Sequence, residues 1–486
     1  MKGVAALAVA CALPNVGCSK DEVPAPDHPV FGHGVASGDP LPDAVIVWTR
    51  VTADKPVDGQ WEVSKDATFG TIASSGTFRA DASRGWTVKV DVKGLEAGTT
   101  YYYRFRALGY ASPIGRTRTA PADPKRLRFA VVSCASVPHG YFHVYKAIAQ
   151  RHDLDAVVHL GDYIYEYAEG EYGKVRASEP KHGCQSLADY RERYAQYRRD
   201  RDLQEAHRQH PFICIWDDHE YVDNAYEDGT TGDNPSHGPW TEQRRAAAQA
   251  YSEYIPIRDQ SDGRIWRALS YGGLVDLFLL DTRIWGRDIQ LPAGDPRIAD
   301  EQRQILGADQ EAWLAEQLKS SKARWKLVGQ QVMMTSVPSW FRDDGWDEYP
   351  AARQRFFDVI EKSSIQDVVV LSGDVHSSWA SEISPHAVEL ITPAVSAPGT
   401  ETRSAADVTK DAPFLKYVDL VQNGFILLSV YEERVHAVWY HVEDVEKEDG
   451  DKLTLSAGFA LKRGDSHLES ATTEPDVFES AAPAPT

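Results

Sequence analysis

Hydrophobic and polar positions divide the chain into two stretches with different periods. From about Phe31 to Thr119 apolar residues alternate with polar ones over short runs, as in Trp86-Thr-Val-Lys-Val-Asp-Val92, and Gly, Asp and Pro separate the runs. A period of two with turn residues between runs predicts a β-sandwich, in which Ala44–Trp48 is another strand. After the linker Ala120–Pro124 the period changes, and short apolar runs alternate with longer segments of helical pattern. Leu127–Ser133, Ala156–Leu160, Phe212–Trp216, Val275–Leu280, Lys326–Val332, Val368–Leu371 and Val388–Ile391 predict strands, and Phe425–Tyr431 with Val435–Tyr440 predicts a closing hairpin. Tyr141–Arg151, Leu187–Arg208, Thr241–Tyr254, Asp309–Ser320 and Ala351–Lys362 predict helices. Such alternation gives an α/β domain. From Glu446 the chain is charged and then rich in Ala, Pro and Ser, which predicts a tail.

A chain of 486 residues has room for two or three domains. The pattern places a β-sandwich at 28–120, a catalytic-sized α/β domain at 123–445 and a C-terminal extension at 446–486. Met1–Cys18, one Lys followed by a short Ala-rich apolar run, predicts a signal peptide and export. Gly17-Cys18 resembles a lipoprotein cleavage site, although Asn15 stands where that pattern prefers Leu. The expected location is therefore periplasmic, secreted or lipid-anchored at the envelope. Lys and Arg number 52 against 72 Asp and Glu, a formal charge of −20, which argues against a nucleic-acid-binding surface and against unaided docking on anionic membrane. An N-terminal lipid anchor is the expected tie to a membrane, and a monomer the expected state. Export would leave Cys134, Cys184 and Cys214, an odd number, so either one thiol has another task or all are free.

The chemistry is written at the ends of the predicted strands. In open α/β sheets ligands bind beyond the carboxyl ends of the strands. Arg128–Cys134 ends in a thiol, and Ala156–Tyr167 runs into Asp162 with the phenol of Tyr165 three positions later. Phe212–Glu220 ends in Asp217-Asp218-His219-Glu220, and Val368–His376 ends in Asp374 and His376. Each piece alone is most often a turn, a cap or a buried small residue. Together they place thiol, phenol, carboxylates and imidazoles on one edge, a donor set that suits metal ions. Clustered carboxylates also require positive charge to stay ionised.

The order Gly161-Asp-x-x-Tyr165, Asp218-His-Glu220 and Gly373-Asp-x-His376 resembles the calcineurin-like metallophosphoesterases, and the forms GDYIYEY, WDDHE and SGDVH are similar to the PhoD-type alkaline phosphatases. FGHGVASGDPLPDAVIVWTRV, VVSCAS and YRERYAQYRRD extend the resemblance over most of the chain. It implies a four-layer sandwich of two packed β-sheets flanked by helices. Leu95–Phe105 separately resembles a fibronectin type III corner, so an all-β fibronectin III or immunoglobulin-like domain is expected ahead of that sandwich. The resemblance further implies Fe3+ on Cys134, Asp162, Tyr165 and His376, and an oxygen-rich second site with Asp218 and Asp374 for Ca2+. Asp218 and Asp374 stand where other members carry Asn and His, and Gln330-Gln331 falls where a further His is expected. These departures argue against the alternative of Zn2+ or Mn2+.

The expected activity is that of an exported phosphatase acting on small-molecule phosphate monoesters, with diesters also in range, through a metal-activated hydroxide. His219 is the expected catalytic residue, hydrogen-bonding the phosphoryl group or protonating the leaving oxygen. Arg191, Arg193, Arg198 and Arg199 offer bidentate phosphate donors, although a solvated face paired with acids is the commoner use of such residues. A phospholipase D-type phosphodiesterase of the same architecture is one alternative. A metal-stabilised binding or adhesion protein is an alternative of another class, disfavoured because structural calcium does not call for Cys and Tyr at one centre.

Overall fold

A computed structural model describes residues 29–232, 238–337, 344–400, 404–410, 412–473, 476, 478 and 480–485. The expected signal peptide and Cys18 lie outside the described residues. Among the described residues two large mixed sheets carry the α/β part. The first has ten strands in the order Leu468–Ser470, Leu453–Lys462, Arg434–Val442, Gly424–Tyr431, Arg126–Val132, Ala156–His159, Pro211–Cys214, Val35–Gly38, Ala44–Arg50 and Thr87–Lys93. The second has seven, in the order Arg267–Tyr271, Val275–Leu279, Trp325–Gly329, Val368–Ser372, Ala387–Ile391, Ser378–Ser384 and Leu415–Asp419.

Period-two alternation explains how the second sheet is held. Leu277, Leu279, Leu327, Val369 and Leu371 face the core shared with Phe129, Val131, Ile426 and Leu428 of the first sheet. Their neighbours Phe278, Val328, Val368 and Val370 face outward and are covered by Leu314, Leu318, Phe356 and Ile360 from the helices Gly307–Ser320 and Pro350–Lys362. Both faces are apolar, so these strands read as unbroken hydrophobic runs. Arg126–Val132, Ala156–His159 and Pro211–Cys214 are mutually parallel, as are Val275–Leu279, Trp325–Gly329, Val368–Ser372 and Ala387–Ile391. Each sheet therefore gathers its strand carboxyl ends along one edge. A parallel bridge between Ser133 and Ala394 joins the two edges.

The N-terminal residues divide between two sheets. Val57–Ser64, Ile72–Ala80, Thr100–Ala107, Tyr110–Ala111 and Gly115–Arg118 form an antiparallel sheet, whereas Val35–Gly38 pairs in parallel with Pro211–Cys214 and carries Ala44–Arg50 and Thr87–Lys93 into the large sheet. Val45, Val47, Val88 and Val92 still pack on Val63, Phe78, Tyr103 and Phe105 across the gap. Alternation specifies which face is buried, but not which strand lies alongside. The Tyr101 hydroxyl accepts the Glu96 amide at 2.9 Å, tying its strand to the preceding turn.

Two expectations need correction. The single helix Leu187–Arg208 is two helices, Leu187–Tyr197 and Arg201–Gln209, because the Asp200 carboxylate caps the second by accepting from the amides of Asp202 and Leu203 at 3.0 Å each. The segment from Glu446 is not simply a tail: Leu453–Lys462 pairs along Arg434–Val442, and Leu468–Ser470 pairs with it in turn. Beyond them Phe478 lies against the Arg126 and Arg128 guanidinium groups at 4.1 and 3.6 Å, and Ala484 exchanges backbone bonds with the Gln209 side chain. The charged run 446–452 ahead of Leu453–Lys462 and the Ala- and Pro-rich end of the chain hide the alternating strand between them. A chain ended at Val445 should uncover the Arg434–Val442 edge. Its melting temperature should fall by about 10 °C or more, or the protein should become insoluble; an unchanged thermal melt would show that these strands contribute nothing.

Candidate metal centre

The turns after the parallel strands place the candidate residues. Gly161 has φ of 111°, and a Cβ there would lie 2.4 Å from Asp217 Cβ and 2.7 Å from Asp217 N, so only glycine lets these two strand ends meet. Cys134, Asp162, Asp374 and His376 have φ of 60°, 52°, 66° and 51°. Four candidate ligands thus occupy left-handed backbone that non-glycine residues avoid, at a cost of order 1–3 kcal/mol each. Strain of this kind is retained where side-chain direction matters more than backbone comfort.

Three groups of donors converge. Ligand atoms of Cys134, Asp162 and His376 all lie within 4.8 Å of one another, as do those of Asp162, Asp218 and His219, and those of Asp217, Asp218 and Asp374. The Tyr165 hydroxyl joins the first group, 3.0 Å from Asp162 Oδ2 and 2.9 Å from His376 Nε2. His376 Nδ1 donates to the Pro398 carbonyl at 3.0 Å, which leaves Nε2 for the centre. All seven residues singled out in the sequence therefore lie in one region, with Asp162 and Asp218 shared between groups.

His219 is oriented from behind. Its Nδ1 is 2.8 Å from Glu166 Oε2, and its ring packs on Tyr165 with centroids 4.2 Å apart. Glu166 is buried and also accepts the Asp223 amide at 2.9 Å. Burial disfavours charge on His219, yet Asp218, Asp162 and Glu166 together raise its proton affinity well above the ordinary histidine range.

The carboxylates are buried and mutually repulsive. Desolvation pushes Asp162 well above the usual range, Asp217 to about 7 and Glu220 to about 8. Burial also opposes charge on Asp218, but Arg283 and His219 bring it down to about 2. Glu220 accepts the amides of Asp162, Tyr163 and Asp217 at 3.0, 2.7 and 2.8 Å, so it ties the two strand ends together. Burial and nearby negative charge raise the Cys134 thiol and the Tyr165 phenol well above their ordinary ranges.

Sequence reasoning missed several participants. Glu166, Asp217 and Glu220 stand inside the motifs already quoted, and their burial is what distinguishes them. Arg283 follows the strand Val275–Leu279 in an unremarked Asp-Thr-Arg and offered no signal. The four arginines in and just after the helix Leu187–Tyr197 are not aimed here. Arg191 pairs with Glu253, Arg199 with Glu179, Arg198 with the Tyr163 hydroxyl, and Arg193 donates to the carbonyls of Tyr165, Tyr167, Glu179 and Pro180. Arg193 therefore supports the loop bearing Tyr165. Gln331, where a histidine was expected, donates to the carbonyls of Trp216 and Leu280 at 2.6 and 3.0 Å and bridges the sheets. Cys184 and Cys214 are free and buried, and so is Cys134.

The donor set fits cations of two kinds. Thiol, phenol, carboxylate and imidazole around Cys134 suit a redox-type transition metal, and the aspartates around Asp217 suit a hard cation. Asp217 Oδ2 is buried with no hydrogen-bond partner among the described residues, which marks a missing counter-charge.

The PhoD-like phosphatase pattern matches residues 129–439, and the PhoD-like phosphatase N-terminal domain pattern matches residues 17–121. The chain is 35% identical to alkaline phosphatase D of Bacillus subtilis (strain 168), over 91% of this chain and 82% of that protein. It superposes on the solved structure of PhoD with a TM-score of 0.85 at 33% identity, covering 92% of this chain and 93% of the other.

Carboxylates with raised folded-state values give stability that is present below their unfolded values of 3.8 and 4.5 and is lost as pH rises through about 7 and about 8. The metal-free protein should therefore lose melting temperature across that window more steeply than Asp217→Asn. Parallel pH profiles for the two proteins would contradict a repulsive buried cluster.

Proposed function

This chain belongs to the PhoD-like phosphatase family and is a phosphoric ester hydrolase; from that premise we propose that it is an exported, metal-dependent phosphatase acting on phosphate monoesters and, in the same site, diesters. Convergence of Cys134, Asp162, Tyr165 and His376 is the single observation that carries this reading. These residues would hold Fe3+, and Asp217, Asp218 and Asp374, with Asp162 between, would hold Ca2+. Such ions would supply Lewis-acid charge against the phosphoryl oxygens and lower the pKa of water. The layering of helices over two packed sheets supports the four-layer catalytic domain, and the facing N-terminal sheets support a fibronectin III-like module. The apolar run Met1–Cys18 supports export, with a lipid anchor at Cys18 as one form of it.

The protein's own groups orient and transfer protons. With Nδ1 held by Glu166, His219 presents Nε2, which hydrogen-bonds the phosphoryl group and protonates the leaving oxygen. The Tyr165 ring fixes the imidazole plane, and Glu220 fixes the relative position of Asp162 and Asp217. Burial of these groups keeps bulk water from screening them.

Cys134→Ser and Asp162→Ala should each lower iron content and cut turnover of p-nitrophenyl phosphate by at least about 10²-fold while circular dichroism stays unchanged. Loss of neither iron nor turnover would refute the assignment, and an active protein carrying Zn2+ or Mn2+ and no iron would refute the ferric reading. His219→Asn should lower kcat on the monoester by about 10²–10⁴-fold, as expected for a lost general acid. A variant with unchanged kcat would remove His219 from proton transfer. Release of headgroup alcohol from phospholipid faster than phosphate from monoesters would favour the phosphodiesterase instead.

A further inference from the structure

Arg283 places a fixed positive charge inside the oxygen-rich group. Asp281 Oδ1 accepts the amides of Arg283 and Ile284 at 2.9 Å each, so the turn after Val275–Leu279 is capped and the Arg283 side chain is directed into the centre. The side chain is fully buried. Its guanidinium pairs with Asp217 and Asp344, lies 2.7 Å from Asp374 Oδ1 and 3.6 Å from Asp218 Oδ1. Asp344 is held on its other side by Arg287 and by Gln290 at 2.8 Å, and it shares the guanidinium with the other three acids.

Asp217, Asp218 and Asp374 are the same three residues whose oxygens gather closely enough to hold an ion. Arginine occupies Asp217 through Oδ1, while Asp217 Oδ2 is buried without a partner among the described residues. One guanidinium therefore offsets only part of the charge of three carboxylates, and the unpartnered Asp217 Oδ2 stays open to a divalent cation. Two cations that share carboxylates repel each other. In a buried site, where the effective dielectric is well below that of water, that repulsion lowers the affinity for the added ion. Among the described residues no guanidinium contacts the Cys134 thiol or the Tyr165 phenolic oxygen.

We propose that Arg283 is a positioning residue that acts as a resident counter-ion, holding Asp217, Asp218 and Asp374 together without a divalent cation and competing with that cation for them. The oxygen-rich site is then exchangeable and follows the free divalent cation around the protein, while the ion of the Cys134 group is retained. This rests on the reading that the oxygen-rich site takes Ca2+, and the test separates the two.

Ca2+ binding to the full chain, treated with a calcium chelator, is measured by titration calorimetry for wild type, Arg283→Gln, Arg283→Lys and Asp344→Asn. Arg283→Gln should bind Ca2+ at least about 10-fold more tightly, because the competing charge is gone. Arg283→Lys keeps the charge and should stay within about 3-fold of wild type. Asp344→Asn, which leaves the guanidinium charge to the three acids alone, should bind Ca2+ at least about 3-fold more weakly. Equal or weaker binding by Arg283→Gln would overturn the proposal, since a merely structural arginine would change melting temperature and leave the affinity alone. If Arg283→Gln cannot be recovered folded, Asp344→Asn decides, and unchanged or tighter binding there would overturn it. Wild type that takes up no Ca2+ would overturn the underlying reading, and the proposal with it.

Discussion

Like charges forced together where two sheet edges meet are the constraint on which the site depends. Asp162, Asp217, Asp218 and Glu220 are all buried, and Asp374 is half-buried beside them. An unpaired buried carboxylate costs several kcal/mol even after relaxation. The molecule offsets this with three amides on Glu220, with the Arg283 guanidinium and with the His219 imidazole. What remains without a partner among the described residues, the lone Asp217 oxygen, points toward a cation, and the buried thiol and phenol beside Asp162 would need one to ionise.

Architecture makes this concentration of charge achievable. Parallel strands in both sheets aim their carboxyl ends the same way, and a shared apolar core fixes the sheets against each other. Positive φ at Cys134, Asp162, Asp374 and His376 turns the side chains inward immediately after each strand. Donors of unlike softness come from different turns. Thiol and phenol arise from the first sheet, whereas the second sheet supplies Asp374, His376 and Arg283. A substitution at any one turn therefore changes one donor without unravelling its neighbours, which is why ligand variants are expected to stay folded.

The parts legible in the sequence are those where one residue's chemistry dictates its surroundings. Continuous runs such as Ala156–His159 and Val368–Ser372 announced buried parallel strands, and a carboxylate directly after each announced the site edge. Partnerships between strands were not legible. The register of Val35–Gly38 on Pro211–Cys214 depends on surfaces far apart in the chain, and Leu453–Lys462 was masked by the charged run 446–452 that precedes it. Arg283 was invisible for the same reason, because an arginine after a strand is ordinary until the fold surrounds it with Asp217, Asp344 and Asp374. Glu166 was hidden inside a quoted motif, since only the folded chain shows that it backs His219.

Anomalous X-ray diffraction from crystals of the purified holoprotein, collected on both sides of the iron absorption edge, tests the metal-centre claim most directly. An edge-dependent peak bounded by Cys134 Sγ, an Asp162 oxygen, the Tyr165 phenolic oxygen and His376 Nε2, with no such peak among Asp217, Asp218 and Asp374, is the predicted result. Maps without an iron signal at Cys134, or with iron only among the three aspartates, would contradict it.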